Sequence, residues 1–422
     1  MSNQQQELEI ATPRPSPHID GARLWLRLHE LARVGATAAG GLDRPSLSAS
    51  EAAARRKIIA WAAAIGASAS ADAIGNLFLK LEGAEPDLAP VLTGSYLDSQ
   101  PGGGKYSGAY GMLAALEALA AISALPARSR RPVIAACWTN GEGSRFAPGY
   151  MGSEAFAGRR PLANMLAVKD AGGRRVDEEL KSMLAAQGHL PTLPLGFPCL
   201  AYVETHLEQG AILEQNNRQI GVVTGLQGVR RFQVHVIGEA AHIGTTPRPQ
   251  RRDALYATVR IIGALDQFFA APDVSFAVGH LRVEPNAPSI VPRETVFTVD
   301  IRHRENTTLT RLGGAVKLIC ESEKGLCRFK VTELVSTPSI QFAPEICARI
   351  AENSDRLGLT HLPLLSLGGH DAQSLNWTCP SGIIFIPCKN GISHSPAESI
   401  EPQHATAGAK VLADVVWELA NT

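Results

Sequence analysis

The stretch Val91 to Met112, VLTGSYLDSQPGGGKYSGAYGM, constrains what this chain can fold into more than any other. Val91 and Leu92 read as the end of a buried strand. The small and polar residues Thr93, Gly94, Ser95, Asp98 and Ser99 then lead to Gly102, Gly103 and Gly104, where backbone must turn tightly or approach something closely. After Gly108 the texture changes to MLAALEALAAISAL, a strong helix former. A strand end, a glycine-rich turn and a helix start make the carboxyl edge of an α/β sheet, the edge at which such folds bind ligands.

Other strands deliver polar tips in the same way. PVIAACW (132–138) runs into Thr139-Asn140-Gly141-Glu142, and CLAYVET (199–205) runs into His206-Leu207-Glu208-Gln209-Gly210. Apolar spacing from Ile19 onward predicts a first helix, and SASEAAARRKIIAWAAAIG a second, capped by Ser48 or Ser50 and ending at Gly66. ASADAIGNLFLKLEG reads as two strands with a turn at Gly75-Asn76. Between 221 and 333 the pattern becomes RRFQVHVIGEA, a helix, FAVGHLRVE, ETVFTVDIRH, a helix and CRFKVTELV. Four strands and two helices in that order predict an α+β domain inserted into an α/β domain formed by 19–220 and 334–422. Residues 1–18 carry too little apolar surface to offset ordering entropy and are expected to be poorly ordered.

Composition removes several function classes. Lysine plus arginine and aspartate plus glutamate each total 40, so the formal charge is zero and nothing electrostatic favours a nucleic-acid or anionic-membrane partner. Aromatic residues make up 5%, too few for stacking platforms on single-stranded nucleic acid. The seven cysteines form no CxxC pair and fit small buried thiols in a reducing compartment. Without a signal peptide or an apolar run of about 18 residues, a cytoplasmic protein is expected.

The polar clusters, in chain order, resemble the binuclear amidohydrolases that include N-carbamoyl-L-amino acid hydrolases, allantoate amidohydrolases and β-ureidopropionases, relatives of aminoacylases and carboxypeptidases. The family pattern G-S-H-x-D-(T/S) stands here as Gly94-Ser95-Tyr96-Leu97-Asp98-Ser99, and G-G-K-(F/Y)-D-G as Gly103-Gly104-Lys105-Tyr106-Ser107-Gly108. N-E-E-G-S-R-F is matched by Asn140-Gly141-Glu142-Gly143-Ser144-Arg145-Phe146, E-x-H-I-E-Q-G by Glu204 to Gly210, and G-I-S-H-x-P by Gly391 to Pro396. The resemblance implies Glu142, His206 and His394 as metal ligands, with Asp98 as the group that orients a ligand. It also implies His242 in Gly238 to Pro247 as the group that polarises the scissile carbonyl. Asn286 in Pro285-Asn286-Ala287 and Arg302 in Asp300-Ile301-Arg302-His303 would anchor a substrate carboxylate, with Gln209, Gly369 and His370 as further contacts. Arginine suits that task because its planar fork binds a carboxylate through two hydrogen bonds.

Three departures change the expected chemistry. Tyr96 replaces a histidine ligand, Ser107 the metal-bridging aspartate, and Gly141 the glutamate that acts as general base. Two cations about 4 Å apart need an anionic bridge, which a neutral hydroxyl cannot supply. The expectation is therefore an enzyme acting on a C–N bond of a small ureido, N-carbamoyl or N-acyl carboxylate. It would use one divalent cation, zinc or manganese, or none, with Glu142, or Tyr96 with Asp98, as acid or base. The resemblance further implies a homodimer through the insert at 221–333, acting as dimerisation and lid domain, or a heterodimer with an intact relative. The alternative is a non-catalytic ligand-binding or partner subunit.

Overall fold

A computed structural model describes residues 13–188 and 190–422. The chain divides into two compact units, one formed by the chain up to Thr224 and from Phe342 onward, the other by Gly225–Gln341.

The first unit is built on a mixed sheet. Its strands are β1 (Ser68–Ala71), β2 (Leu77–Leu81), β3 (Val91–Tyr96), β4 (Val133–Trp138), β5 (Ala201–Leu207), β6 (Ile220–Leu226), β7 (His361–Ser366) and β8 (Ser381–Ile386). They lie in the order β1-β2-β4-β3-β5-β8-β6, with β7 also beside β6. The pairs β4/β3, β3/β5 and β5/β8 are parallel, whereas β1/β2, β2/β4 and β8/β6 are antiparallel. Every residue of β3, β4, β5 and β8 is buried. That is why these segments are near-continuous apolar runs rather than alternating ones. Because the four are mutually parallel, their carboxyl ends open on one edge of the sheet.

Helices seal the sheet. Ala109–Ser123 is buried along almost its whole length and packs against β3, β5 and the closing helix Pro402–Ala420. Ala49–Ala63 starts at the Ser48 cap, whose side chain accepts from the Glu51 amide. Two buried arginines tie the strand exits to this frame. Arg55 pairs with Glu51 and donates to Gly75 O and Thr139 Oγ1. Arg44 donates to Leu97 O at 2.5 Å and to Leu31 O and Val34 O at 3.0 and 3.1 Å. Burial pushes the Arg44 guanidinium down to about 10.

The inserted unit has a sheet of long strands Gly228–Ile237, Glu294–His303 and Arg328–Thr337. Their inward residues Phe232, Val234, Val236, Phe297, Val299 and Ile301 pack under the helices Ala254–Phe268 and Asn306–Glu323. The segment expected as one strand, FAVGHLRVE, is two: Ser275–Ala277 and Leu281–Glu284, both paired with Glu294–His303. Gly279 falls in the break, and a glycine has no side chain to hold a strand through it.

The expectation of disorder for residues 1–12 lies outside the described residues. Residues 13–18 are tied down instead: Ser16–His18 forms a short 3-10 turn, the Ser16 amide donates to Asp414 Oδ1 at 2.9 Å, and Arg14 pairs with Glu418. Partners near the carboxyl terminus supply the order that local composition lacks.

Candidate active site

Four strand exits converge on the shared edge. β3 ends at Tyr96, the turn after β4 carries Glu142, the penultimate residue of β5 is His206, and the loop after β8 carries His394. The backbone here is unusual. Of seven described non-glycine residues with positive φ, Asn140, Tyr150, Gln209 and His394 lie in these turns or in the segments continuing them. Such conformations cost roughly 1–3 kcal/mol each and persist where the surroundings impose them, commonly at functional sites.

The Tyr96 hydroxyl lies 3.0 Å from Glu142 Oε1 and 3.3 Å from His206 Nε2. His206 Nδ1 is 2.9 Å from Leu207 O, which can only accept, so Nδ1 carries the ring proton and Nε2 is an acceptor. The Gly108 amide also points at Nε2, at 3.4 Å. One phenol proton therefore has two acceptors within reach. Gln100 Nε2 donates to Glu142 Oε2 at 2.8 Å, and His394 Nε2 stands 3.6 Å from the same oxygen. Gln209 Nε2 donates to Ser393 Oγ at 3.1 Å and lies 3.2 Å from His394 Nε2.

Burial governs the electrostatics. It pushes the Glu142 carboxyl up, against the opposing pull of His394, Gln100 and Tyr96, and it raises the Tyr96 phenol well above its ordinary value. His206 is driven down to about 4 by the same cause, which keeps its ring neutral.

Tyr96 fits because two glycines flank it. A Cβ carbon at Gly141 or at Gly108 would collide with the Tyr96 ring. Ser107 points elsewhere: its hydroxyl donates to Glu398 Oε2 at 2.6 Å, Ser393 donates to the same oxygen at 2.8 Å, and Glu398 Oε1 accepts from the amides of Tyr106 and Ser107.

The expected residues are distributed as follows. Tyr96, Glu142 and His206 share hydrogen bonds, Gln209 and His394 lie 3.2 Å apart at Nε2, and a 3.6 Å contact between His394 and Glu142 joins the two groups. Glu142, His206 and His394 do not form a three-donor cluster, since the phenol stands between Glu142 and His206; among the described residues no three His, Cys, Asp or Glu side chains are placed to hold a metal ion. Asp98 is not paired with Tyr96. Its two oxygens accept the amides of Gly141 and Glu142 at 2.9 and 3.1 Å, so it shapes the turn from below. His370 is buried, its ring centre 4.6 Å from that of His206 in an edge-to-face arrangement and its Nε2 3.0 Å from Ser366 Oγ. Gly369 lies against Tyr150, where a Cβ would sit 2.6 Å from the hydroxyl.

In the inserted unit, His242 is exposed on the short strand Ala241–His242, paired in register with Ile290, and its Nδ1 accepts from the Gly244 amide at 3.1 Å. Asn286 lies in the exposed bend after Glu284. Arg302 faces away from the packed helices, with Nε donating to Asp300 Oδ1 at 2.9 Å; Asp300 is also held by Arg231. Sequence reading missed Glu398, Gln100 and Tyr150. Only Glu398 left a trace, four residues beyond His394 in the same loop.

A mixed sheet that presents histidine, carboxylate and amide side chains on its parallel edge, with an α+β insert, defines a hydrolase fold of the metallopeptidase type. The chain belongs to peptidase family M20/M25/M40, whose pattern matches residues 98–418. It is similar to an N-carbamoyl-L-amino-acid amidohydrolase of Rhizobium meliloti, at 35% identity over 97% of this chain and 99% of that one. It is also similar to the allantoate amidohydrolase of Escherichia coli K12, at 33% identity over 92% and 96%. Among solved structures, a hydantoinase/carbamoylase family amidase from Burkholderia multivorans superposes with a TM-score of 0.88 at 36% identity, covering 96% of this chain and 98% of that one.

Proposed function

We propose that this chain is an amidohydrolase acting on a C–N bond of a small carboxylate of the N-carbamoyl or ureido type, and that it works without a pair of cations. The class of substrate rests on the relatives, which are named for N-carbamoyl-L-amino acids and allantoate. The departure from paired cations rests on one observation: the Tyr96 hydroxyl lies within hydrogen-bond reach of both Glu142 and His206, side chains that a cation would have to share.

The donor set does not fit two metal ions. Ser107 is neutral and spends its proton on Glu398, so no carboxylate stands at the bridging position. Glu142 is then the acid or base. Burial raises its affinity for a proton above that of an ordinary glutamate, the direction a group that both takes and returns a proton needs. It takes the proton of an attacking water and returns it to the leaving nitrogen, while Tyr96 and Gln100 hold its two oxygens in place. Arg302 and Asn286 hold the substrate carboxylate and His242 polarises the carbonyl. A homodimer through the inserted unit is part of the same reading.

The test is turnover of N-carbamoyl-L-amino acids and allantoate by purified protein, with and without a chelator, beside metal analysis. Turnover with at most one metal equivalent per chain is expected, and survival of turnover under chelation would select the metal-independent form. Two equivalents of zinc or manganese per chain would overturn the reading. The missing carboxylate at Gly141 favours one second reading, a ligand-binding or partner subunit. Tight binding of these carboxylates with no turnover would select it.

A further inference from the structure

We propose that the inserted unit carries a separate site for a small phosphate-bearing anion. A cavity of about 590 Å³ lies between the start of helix Ala254–Phe268 and the turn that follows helix Asn306–Glu323. Four cations line it, Arg248, Arg251, Arg260 and Lys324, against a single carboxylate, Asp253. Asp253 is committed to capping, accepting from the Tyr256 amide at 2.9 Å. The chain as a whole is charge-balanced, so this excess is local.

The cations are positioned more than they are neutralised. Arg260 donates to Glu323 O at 3.2 and 2.8 Å, and Arg251 donates to Thr246 O at 2.9 Å and to Ile243 O. A carbonyl orients a guanidinium without cancelling its charge. The carboxylates nearby are peripheral: Glu323 reaches only 3.8 Å from Arg260, and Glu321, which pairs with Lys324, is largely exposed. The Arg248 guanidinium has no hydrogen bond or ion pair recorded among the described residues; it stacks 4.7 Å from the Tyr256 ring, which Arg260 also approaches, at 5.3 Å. Gly325 completes the cavity. Its φ of +57° suits glycine, and a Cβ there would lie 2.7 Å from Arg260 Nη2. Guanidinium forks held in this way match the oxygens of a phosphoryl group, with Lys324, paired to the exposed Glu321, as a further point charge at the edge.

The site is wired to His242. The carbonyls that fix Arg251 belong to the segment whose Thr246 amide closes onto His242 O at 3.1 Å. An anion that draws on Arg251 therefore acts on the loop carrying His242. This link matters for activity only if His242 serves the reaction as proposed above; the binding itself does not depend on that reading.

Calorimetric titration of the full chain at about 0.15 M salt with inorganic phosphate, pyrophosphate and adenosine monophosphate tests the proposal. Saturable binding of one equivalent per chain is expected, weakened at least tenfold by Arg248→Glu and by Lys324→Glu, with melting temperatures unchanged. Tightest binding by pyrophosphate identifies an inorganic ligand, and by the nucleotide an organic phosphate. No saturation by any of the three, or curves unaltered in both variants, overturns the site. The His242 imidazole resonances should shift on saturation with the tightest probe. Saturation without that shift overturns the link through Arg251. None of these readouts uses turnover, so failure here and failure of the amidohydrolase reading are separable.

Discussion

Tyr96 and Gly141 exclude any side chain larger than hydrogen at the second position: a Cβ carbon on Gly141 would fall on the Tyr96 ring at Cγ, Cδ1 and Cβ. The tyrosine at 96 and the absence of a side chain at 141 are therefore coupled in space. Gly141→Ala should destabilise the protein by about 1–3 kcal/mol through overpacking. Tyr96→His should relieve most of that cost, so a double-mutant cycle in urea should show strong coupling between the two positions. Additive effects would mean that the ring does not fill this space.

Ser107→Asp alone places a second carboxylate beside Glu398, whose Oε2 lies 2.6 Å from the serine oxygen. Two carboxylates so close raise one proton affinity and destabilise the charged pair. The variant should therefore melt lower than the parent at neutral pH. Combined with Tyr96→His and Gly141→Glu, it should take up zinc or manganese, read by elemental analysis. A metal-free triple variant would mean that more than these three positions separates this site from a metal centre.

Arg302→Ala should weaken binding of an N-carbamoyl amino acid by more than about 2 kcal/mol, the scale for losing a charged hydrogen-bond partner. Calorimetry with the substrate, or with a non-reactive analogue, measures it directly. Unchanged affinity would remove Arg302 from the anchor. The Asp300 contact makes Arg302→Lys a poor substitute, because a lysine cannot hold both Asp300 and a ligand in a planar fork.

Asp72 gives a pH test remote from the site. Burial pushes its carboxyl up to about 6, against hydrogen bonds from Asn76 and the Ile74 amide. The folded state thus holds a proton between pH 4 and 6 that the unfolded chain has released, so this residue's contribution to stability falls as pH rises through that window. Two pKa units correspond to roughly 3 kcal/mol at most. Asp72→Asn should flatten the fall, seen as a smaller difference between unfolding midpoints at pH 4.5 and 6.5. An unchanged difference would assign the slope to other groups.

Much of the architecture was legible because local rules and tertiary packing agree. The run Val91–Met112 is a strand, a turn and a buried helix, and the Ser48 cap forms as its sequence indicates. What stayed hidden depended on partners far along the chain. Glu398 meets Ser107 across 291 residues, and the Ser16 amide meets Asp414 across 398. Neither contact leaves a periodic signature. Asp98 could have bonded a phenol or a backbone amide, and only the path of the turn after β4 decides for the amides. The replacement of ligands was visible as letters, but the collision that couples Tyr96 to Gly141 required the geometry of facing strand ends.

The buried guanidinium of Arg44 has a consequence for how this molecule can respond to what it binds. Three carbonyls, from two separate segments, share that one cation, so the first helix and the exit of β3 behave as a single rigid piece. Gln209 and His394 sit in left-handed backbone and meet through their side chains, while Glu398 ties the loop carrying His394 to the amides of Tyr106 and Ser107. A ligand at this site meets a floor whose strand ends and loop are locked to each other by buried charge.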